Sequence, residues 1–112
     1  MHSPLRQQLV TQTLHVIEQA RPLVEAIARR DRDLASQVRR ALNSVALNLA
    51  EGLGSSAGNS RLRFESALGS LYEAQAGLRA AVAWGYVSEP AATPAIETTD
   101  RLGARIFGLT RR

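Results

Sequence analysis

The sequence predicts an all-α protein that folds as an antiparallel, up-down-up-down four-helix bundle. Four segments carry apolar residues at helical spacing, and short segments rich in glycine, serine, asparagine or proline connect them. No segment shows the period-two alternation that is typical of a half-buried strand. Helices joined by short connections pack as antiparallel neighbours. At 112 residues the chain can build one core, so we expect one domain over residues 1–112.

The first predicted helix begins at Ser3 and Pro4, a hydroxyl cap followed by proline at the first helical position, and extends to about Arg30. Pro22 lies inside this helix, where its ring removes a backbone hydrogen bond and clashes with the carbonyl of Glu18. We therefore expect a kink between Glu18 and Pro22. The apolar residues of this helix are Leu9, Val16, Ile17, Leu23, Val24 and Ile27.

The second predicted helix is capped by Asp31 or Asp33, because either carboxylate can accept a hydrogen bond from a backbone N–H of the first turn. Gly52 and Gly54 are predicted to end it. Its apolar residues keep to a narrow arc when the helix is projected at about 100° per residue. They are Leu34, Val38, Leu42, Val45 and Leu49.

The third predicted helix follows the segment GSSAGNS, which has the composition of a loop. Asn59 or Ser60 is predicted to cap its start, and Gly85, in the run WGY, is predicted to end it in the left-handed conformation. Its apolar residues are Phe64, Leu68, Leu71, Leu78 and Val82.

The fourth predicted helix has two candidate starts. One is Ser88 followed by Glu89 and Pro90, and the other is Thr93 followed by Pro94. The apolar residues of this helix are Ile96, Leu102, Ile106 and Leu109.

Composition limits the class of protein. Cysteine is absent, which excludes disulfides, thiolate metal sites and a cysteine nucleophile, and is compatible with a reducing compartment. The N-terminal run MHSPLRQQLV lacks the apolar stretch of a signal peptide, and no window approaches the roughly 20 apolar residues of a spanning helix. We expect a cytoplasmic protein with no membrane partner.

The basic residues indicate a polyanionic partner. All 14 are arginine, and with 10 acids they leave a net charge of +4. Arginine's planar guanidinium suits phosphate, although exclusive arginine usage is also what a GC-rich genome produces. Aromatic residues are few, so binding to RNA or DNA is expected to use phosphates and to be indifferent to sequence. The candidate nucleic-acid-binding residues are Arg29, Arg30, Arg32, Arg39, Arg61 and Arg63.

A polar strip borders the apolar stripe of the second helix and includes Arg40, Ser44, Asn48 and Glu51. Leu47 lies nearly opposite that stripe, on a face of the helix that would be exposed to solvent in a monomer. An apolar side chain there is expected to be covered by another subunit. The alternative is a solvated face.

Away from its apolar stripe, the third helix carries mostly small residues, together with Ser70 and Glu73. Gly69 and Gly77 each lower helix propensity by about 1 kcal/mol relative to alanine. Close approach of another helix, within the bundle or across a subunit boundary, would offset that cost, and we predict an assembly contact.

Glu51 and Glu73 are predicted to stabilise the scaffold and not to act as a catalytic pair. The hypothesis is that they form ion pairs with arginines, Arg40 being the first candidate, at helix contacts or subunit boundaries. A di-iron bundle needs Glu-x-x-His on two helices, whereas the two histidines, His2 and His15, both lie at or near the first helix. No serine has a positioned histidine. We therefore expect no enzyme, metal, cofactor or small-molecule substrate.

A family resemblance rests on the runs QVRRALNSVALNLAEGLG, RFESALGSLYEAQ and WGYV. They resemble the four-helix-bundle proteins often encoded in intervening sequences of bacterial large-subunit ribosomal RNA genes, a family that includes the accessory protein of diversity-generating retroelements. About half of the chain carries the resemblance. The matching positions are Gln37, Arg39, Arg40, Ala41, Ser44, Asn48, Ala50, Glu51, Gly52, Ala67, Gly69, Ser70, Glu73, Gly85 and Tyr86.

The resemblance implies a four-helix bundle that assembles into a ring, with a pentamer favoured, and no catalytic activity. For the retroelement accessory protein it implies binding of a reverse transcriptase and of nucleic acid through a basic surface. The sequence departs from the family in lacking lysines and an aromatic-rich first helix. Two functions therefore stay open. One is a homo-oligomeric module that binds RNA or DNA, and the other is a purely structural or protein-interaction ring.

Overall fold

The computed structural model describes residues 4–111, with Arg6 described by its backbone alone. It contains four α-helices and, within that range, no strand: α1 (Pro4–Ala28), α2 (Arg32–Leu53), α3 (Ala57–Trp84) and α4 (Glu89–Thr110). The all-α prediction is confirmed. The longest dimension is 42 Å, which the 28 residues of α3 span at about 1.5 Å per residue. No helix of residues 4–111 has the length and apolar character needed to cross a membrane.

Three predicted helix boundaries are correct. Asp31 caps α2, its Oδ1 accepting a 2.9 Å hydrogen bond from the backbone N–H of Leu34. Gly85 ends α3 at a φ of 79°, in the left-handed region that costs glycine nothing. Ser88 caps α4, its Oγ accepting a bond from the Ala91 N–H at 3.3 Å.

The predicted start of α3 is wrong. The helix begins at Ala57 after Ser56, so Asn59 and Ser60 lie in its first turn. Ser60 does not cap the helix, because its Oγ donates to the carbonyls of Gly52 and Ser55. The loop between α2 and α3 is therefore shorter than its composition indicates.

Gly52 does not end α2, which continues to Leu53 with Gly54 following as its C-cap. A Cβ atom on Gly52 would lie 2.8 Å from a ring carbon of Phe64, so this glycine lets α3 approach the end of α2. At the other end of the chain, α1 stops at Ala28 and not at Arg30, and the predicted cap at Ser3 lies outside the described residues. α1 and α4 continue through Pro22 and Pro94, while the kink in α1 stays a prediction.

The core is built from residues that alternate at spacings of three and four along each helix, the pattern of coiled-coil-like packing. In α3 the buried positions alternate large and small side chains. Alanines and threonines thus fill positions that the apolar stripes did not identify, while six stripe residues are only partly buried: Ile17, Leu34, Leu68, Val82, Ile96 and Leu109. The buried residues of α3 are Phe64, Ala67, Leu71, Ala74, Leu78 and Ala81.

Each helix packs against two others: α2 against α1 and α3, and α4 against α3 and α1. Side-chain hydrogen bonds join α4 to both of its neighbours. Arg105 of α4 donates to the side-chain oxygens of Gln12 and Gln8 of α1 at 2.7 and 3.1 Å. Gln75 of α3 donates to Thr99 Oγ1 of α4 at 2.8 Å. The four helices therefore enclose a single core.

Candidate nucleic-acid interface

The α1–α2 turn places three arginines together. The backbone N–H groups of Arg30 and Asp31 both donate to the carbonyl of Ile27, at 2.9 and 2.7 Å, which reverses the chain tightly after α1. Arg29, Arg30 and Arg32 are all exposed. Because Asp31 is engaged as the cap of α2, the acid within this run is directed to the backbone.

The end of α3 lies beside the α1–α2 turn. After Gly85, the backbone N–H of Tyr86 donates to the Ala81 carbonyl at 2.9 Å, which turns the chain out of the helix. The Tyr86 hydroxyl then donates to Asp31 Oδ2 at 3.4 Å, and the guanidinium of Arg30 lies 5.5 Å from the centroid of the Tyr86 ring. The two turns thus lie side by side, and the surface that they form is here called the Arg30 end.

The three arginines of the Arg30 end form no ion pair among residues 4–111, although Asp31 and Asp33 lie in the same run. Within residues 4–111, no carboxylate lies within 4.0 Å of a guanidinium nitrogen of Arg29, Arg30 or Arg32. Arg39 also has no such partner in that range, but it lies about two turns further along α2, in a hollow between α1 and α2. These four exposed arginines are free to contact an anion.

The other two arginines predicted to bind nucleic acid each form an ion pair with a glutamate of the same chain. Arg61 Nε lies 3.4 Å from a carboxylate oxygen of Glu65, one turn along α3. Arg63 Nε lies 3.0 Å from Glu51 Oε2, and its Nη1 donates to Asn48 Oδ1 at 3.5 Å. The Arg63 Nε is buried and its N–H does not point at the carboxylate, so the contact is an ion pair without a hydrogen bond. The structure thus separates Arg61 and Arg63 from the Arg30 end.

The polar strip of α2 is a helix contact within the protomer. Ser44 Oγ and Ser70 Oγ lie 2.8 Å apart across the α2–α3 seam. Asn48 donates to the carbonyl and the Oγ of Ser44 at 2.9 and 3.0 Å. Arg63 then joins Asn48 to Glu51. These side chains fix α2 against α3 along one line.

The predicted ion pair between Glu51 and Arg40 is wrong within the protomer. Arg40 is exposed on α2, and the partner of Glu51 is Arg63 of α3. A helical wheel shows on which face of one helix a residue lies. It does not show which side chain of the neighbouring helix contacts that residue. Glu73 is exposed and, among residues 4–111, forms no ion pair with an arginine.

The two predicted assembly glycines have different surroundings. A Cβ atom on Gly77 would lie 2.5 Å from Val38 Cγ2, so this glycine serves the α2–α3 contact inside the bundle. Gly69 has open space at the same position and lies on the exposed face of α3. Leu47 is 65% exposed on α2. Leu47, Gly69 and Glu73 are therefore accessible to another chain, whereas Gly77 is not.

The residue prediction overlooked the exposed aromatics. Trp84 is 70% exposed beside Tyr86 at the Arg30 end. A groove of about 630 Å³ between α3 and α4 is lined by Tyr72 and Phe107, which are 54% and 45% exposed. Trp84 and Phe107 fall off the apolar stripes of their helices, which was a signal available in the sequence. Across residues 4–111, no cluster of His, Asp and Glu side chains is arranged to hold a metal ion.

Comparison with known proteins gives a family and a fold. Residues 12–108 match the family model described as 23S rRNA-intervening sequence protein. The structure is similar to the crystal structure of a protein of unknown function from the S23 ribosomal protein family of Bacteroides thetaiotaomicron, with a TM-score of 0.84 and 12% sequence identity. That match covers 93% of this chain and 99% of the other, and at this identity it shows the fold alone. No match is found among curated proteins.

Proposed function

The chain belongs to the 23S rRNA-intervening sequence protein family, and we propose that it is a non-enzymatic, homo-oligomeric module that binds RNA or DNA. The observation that carries the proposal is the Arg30 end. Three exposed arginines, Arg29, Arg30 and Arg32, converge there without a carboxylate partner among residues 4–111. Guanidinium groups with no internal partner are suited to phosphate oxygens.

The absence of a catalytic role is part of the proposal. Glu51 is paired with Arg63, and Glu73 is exposed on α3. Neither carboxylate therefore lies in the enclosed cleft that a catalytic pair of acids needs around its substrate.

We further propose an antiparallel arrangement in which the Arg30 end gathers the α1–α2 and α3–α4 turns. Residue contacts support it. Gly77, late in α3, packs on Val38, early in α2, and Arg105, late in α4, bonds to Gln8, early in α1. Opposite ends of neighbouring helices thus meet along both seams.

Assembly is supported by Leu47, an apolar side chain that is 65% exposed on a helix with a well-formed core face. Covering it with another subunit would remove about 25 cal/mol of unfavourable hydration per Å² of apolar surface. A ring, with the pentamer favoured by the family resemblance, would repeat the Arg30 end around an axis. Several weak sites would then act together, without any new contact in the protomer.

A structural or protein-interaction ring is the second candidate function. The observation that favours it is the number of large apolar side chains that the protomer leaves exposed, among them Leu14, Leu47 and Leu62 at 50%, 65% and 61%. A reverse transcriptase partner stays a prediction from the resemblance. The presence of a retroelement beside the gene would support it.

Fluorescence anisotropy with labelled RNA and DNA tests the nucleic-acid proposal. We expect weak binding without sequence preference that falls steeply from about 50 to 200 mM salt, because each neutralised phosphate releases counterions. Replacing Arg29 and Arg32 by glutamine should weaken binding and lower the salt slope by about 1.4 on single strands, or 0.7 for each lost contact. Arg61→Gln is the matched control, because Arg61 is already paired with Glu65.

The same measurements on Leu47→Glu test the ring. This variant should be monomeric by light scattering, should keep its helical circular dichroism, and should bind more weakly than wild type. Wild-type protein that binds nothing at the lowest salt would refute the nucleic-acid proposal and favour the structural ring. A monomeric Leu47→Glu protein that binds as tightly as wild type would refute the multivalent ring.

A further inference from the structure

We propose that the indole ring of Trp84 is a stacking platform for an unpaired base of single-stranded nucleic acid, with Arg30 and Arg32 beside it to contact the phosphates. This inference rests on the proposed function and specifies its site and substrate class. It makes single strands, and not duplexes, the preferred ligand of the Arg30 end.

The exposure of Trp84 is the first observation. At 70% it is the most exposed of the large apolar side chains of residues 4–111, and it lies in the last turn of α3. Tryptophan is a highly buried residue on average. The core of this bundle is complete without it, since Leu78 and Ala81 fill the end of the α3 seam. Most of the Trp84 side chain therefore adds apolar surface to the outside of the molecule.

The orientation of the ring is held by its neighbours. Trp84 and Tyr86 lie nearly parallel, with an interplanar angle of 15° and centroids 6.4 Å apart. Tyr86 is fixed in turn by its hydroxyl bond to Asp31 and by the Arg30 guanidinium over its ring. Gly85 sets the direction of the chain between the two rings. A side chain already held in place loses little conformational freedom when a ligand stacks on it.

The charge around the ring selects the ligand. The Arg30 guanidinium carbon lies 5.5 Å from the centroid of the Tyr86 ring, and the centroid of the Trp84 ring lies 6.4 Å from it. Arg30 and Trp84 therefore share Tyr86 as a neighbour. Arg32 is exposed one residue beyond Asp31. A flat aromatic surface next to unpaired guanidinium groups matches a nucleotide, which has a π-face and a phosphate. An apolar peptide would leave these charges without partners.

Single strands fit this site better than duplexes. Bases within a duplex are stacked on one another, and their faces are not available to a protein ring, whereas a single strand can splay a base out. Every base has a π-face, so stacking is tolerant of sequence. Trp84, Arg30 and Arg32 all act on bases or phosphates, so we expect RNA and DNA strands to bind alike.

Intrinsic fluorescence gives a direct test, because Trp84 is the only tryptophan in the chain. Titration with oligothymidine or oligouridine should quench the Trp84 emission and saturate at low salt, and a duplex of the same length should quench it far less. In anisotropy, Trp84→Ala should bind labelled single strands at least about five-fold more weakly than wild type. Trp84→Phe keeps an aromatic ring and should retain most of the affinity.

Tyr72→Ala is the matched control. Tyr72 is an aromatic residue of the same helix and is 54% exposed, three turns before Trp84, so truncating it should leave single-strand binding unchanged. Circular dichroism and light scattering of each variant establish that it is folded and that its assembly is unaltered.

Three results would overturn the inference. Trp84→Ala that binds single strands like wild type, while Arg29→Gln/Arg32→Gln is weakened, would refute stacking and leave the proposed function standing. Wild type that binds neither single strands nor duplexes would refute both. If acrylamide cannot quench the Trp84 emission of the free protein, and if Trp84→Ala dissociates the oligomer, then the indole of Trp84 lies in a subunit interface and is not a stacking platform.

Discussion

Replacing Gly77 by alanine tests how closely α2 and α3 approach each other. In the structure a Cβ atom at this position would lie 2.5 Å from Val38 Cγ2, well inside van der Waals contact. Val38 is fully buried, and a β-branched side chain in a helix has one strongly preferred rotamer, so its methyl group cannot rotate away cheaply. The helices must therefore separate, or Val38 must adopt a strained rotamer.

Two opposing effects set the size of the change. Alanine has a higher helix propensity than glycine by about 1 kcal/mol, which stabilises α3. Overpacking a well-filled seam costs about 1 to 3 kcal/mol. The net loss in the free energy of unfolding for Gly77→Ala is therefore about 0 to 2 kcal/mol.

Gly69→Ala is the matched control in the same helix. Its Cβ atom would meet nothing within 4 Å, so only the propensity gain applies and the variant should be stabilised by about 0.5 to 1 kcal/mol. The difference in the free energy of unfolding between Gly69→Ala and Gly77→Ala then measures the cost of the contact with Val38 alone. It should be at least about 1 kcal/mol, or about 4 °C in melting temperature for a domain of this size. Urea denaturation followed by circular dichroism, at one protein concentration, measures it.

Val38→Ala in the Gly77→Ala background removes the methyl group responsible. The double variant should be more stable than the sum of the two single changes predicts, with a coupling of at least about 0.5 kcal/mol. Gly77→Ala that equals Gly69→Ala in stability would contradict the close approach of α2 and α3. Gly77 could then lie in a contact between subunits, as the sequence predicted.

Two further predictions concern Glu51, Glu73 and Gly85. Glu51→Gln removes the charge opposite Arg63. Because both side chains are about half exposed, the free energy of unfolding should fall by at most about 1 kcal/mol, and by less in high salt. Glu73→Gln should leave the melting temperature unchanged. An equal effect of the two substitutions would refute the assignment of Arg63 as the specific partner. Gly85→Ala forces a Cβ into a φ of 79°, so thermal melting should show a loss of about 1 kcal/mol or more; a variant as stable as wild type would show that the α3–α4 turn tolerates another conformation.

Local sequence patterns were sufficient to identify the number, type and approximate bounds of the helices. Helical spacing of Val38, Leu42 and Val45 is a property of one segment, and so are the caps at Asp31 and Gly85. Each of these features acts between residues a few positions apart, so chemistry along the chain is sufficient to identify it. The start of α3 was missed because every polar residue of GSSAGNS can cap a helix, and the choice depends on which carbonyls Ser60 reaches.

The packing of the four helices determines which side chains face each other between neighbouring helices. It placed Arg63, and not Arg40, beside Glu51, and it packed Gly77 on Val38 while leaving Gly69 open to solvent. It also brought Tyr86, which stacks on Trp84, next to Arg30, more than 50 residues away in the chain. Periodicity fixes the face of a helix on which a residue lies, but the partner on that face depends on the axial offset between helices. That offset is set by the fit of many core side chains at once, and no local pattern encodes it.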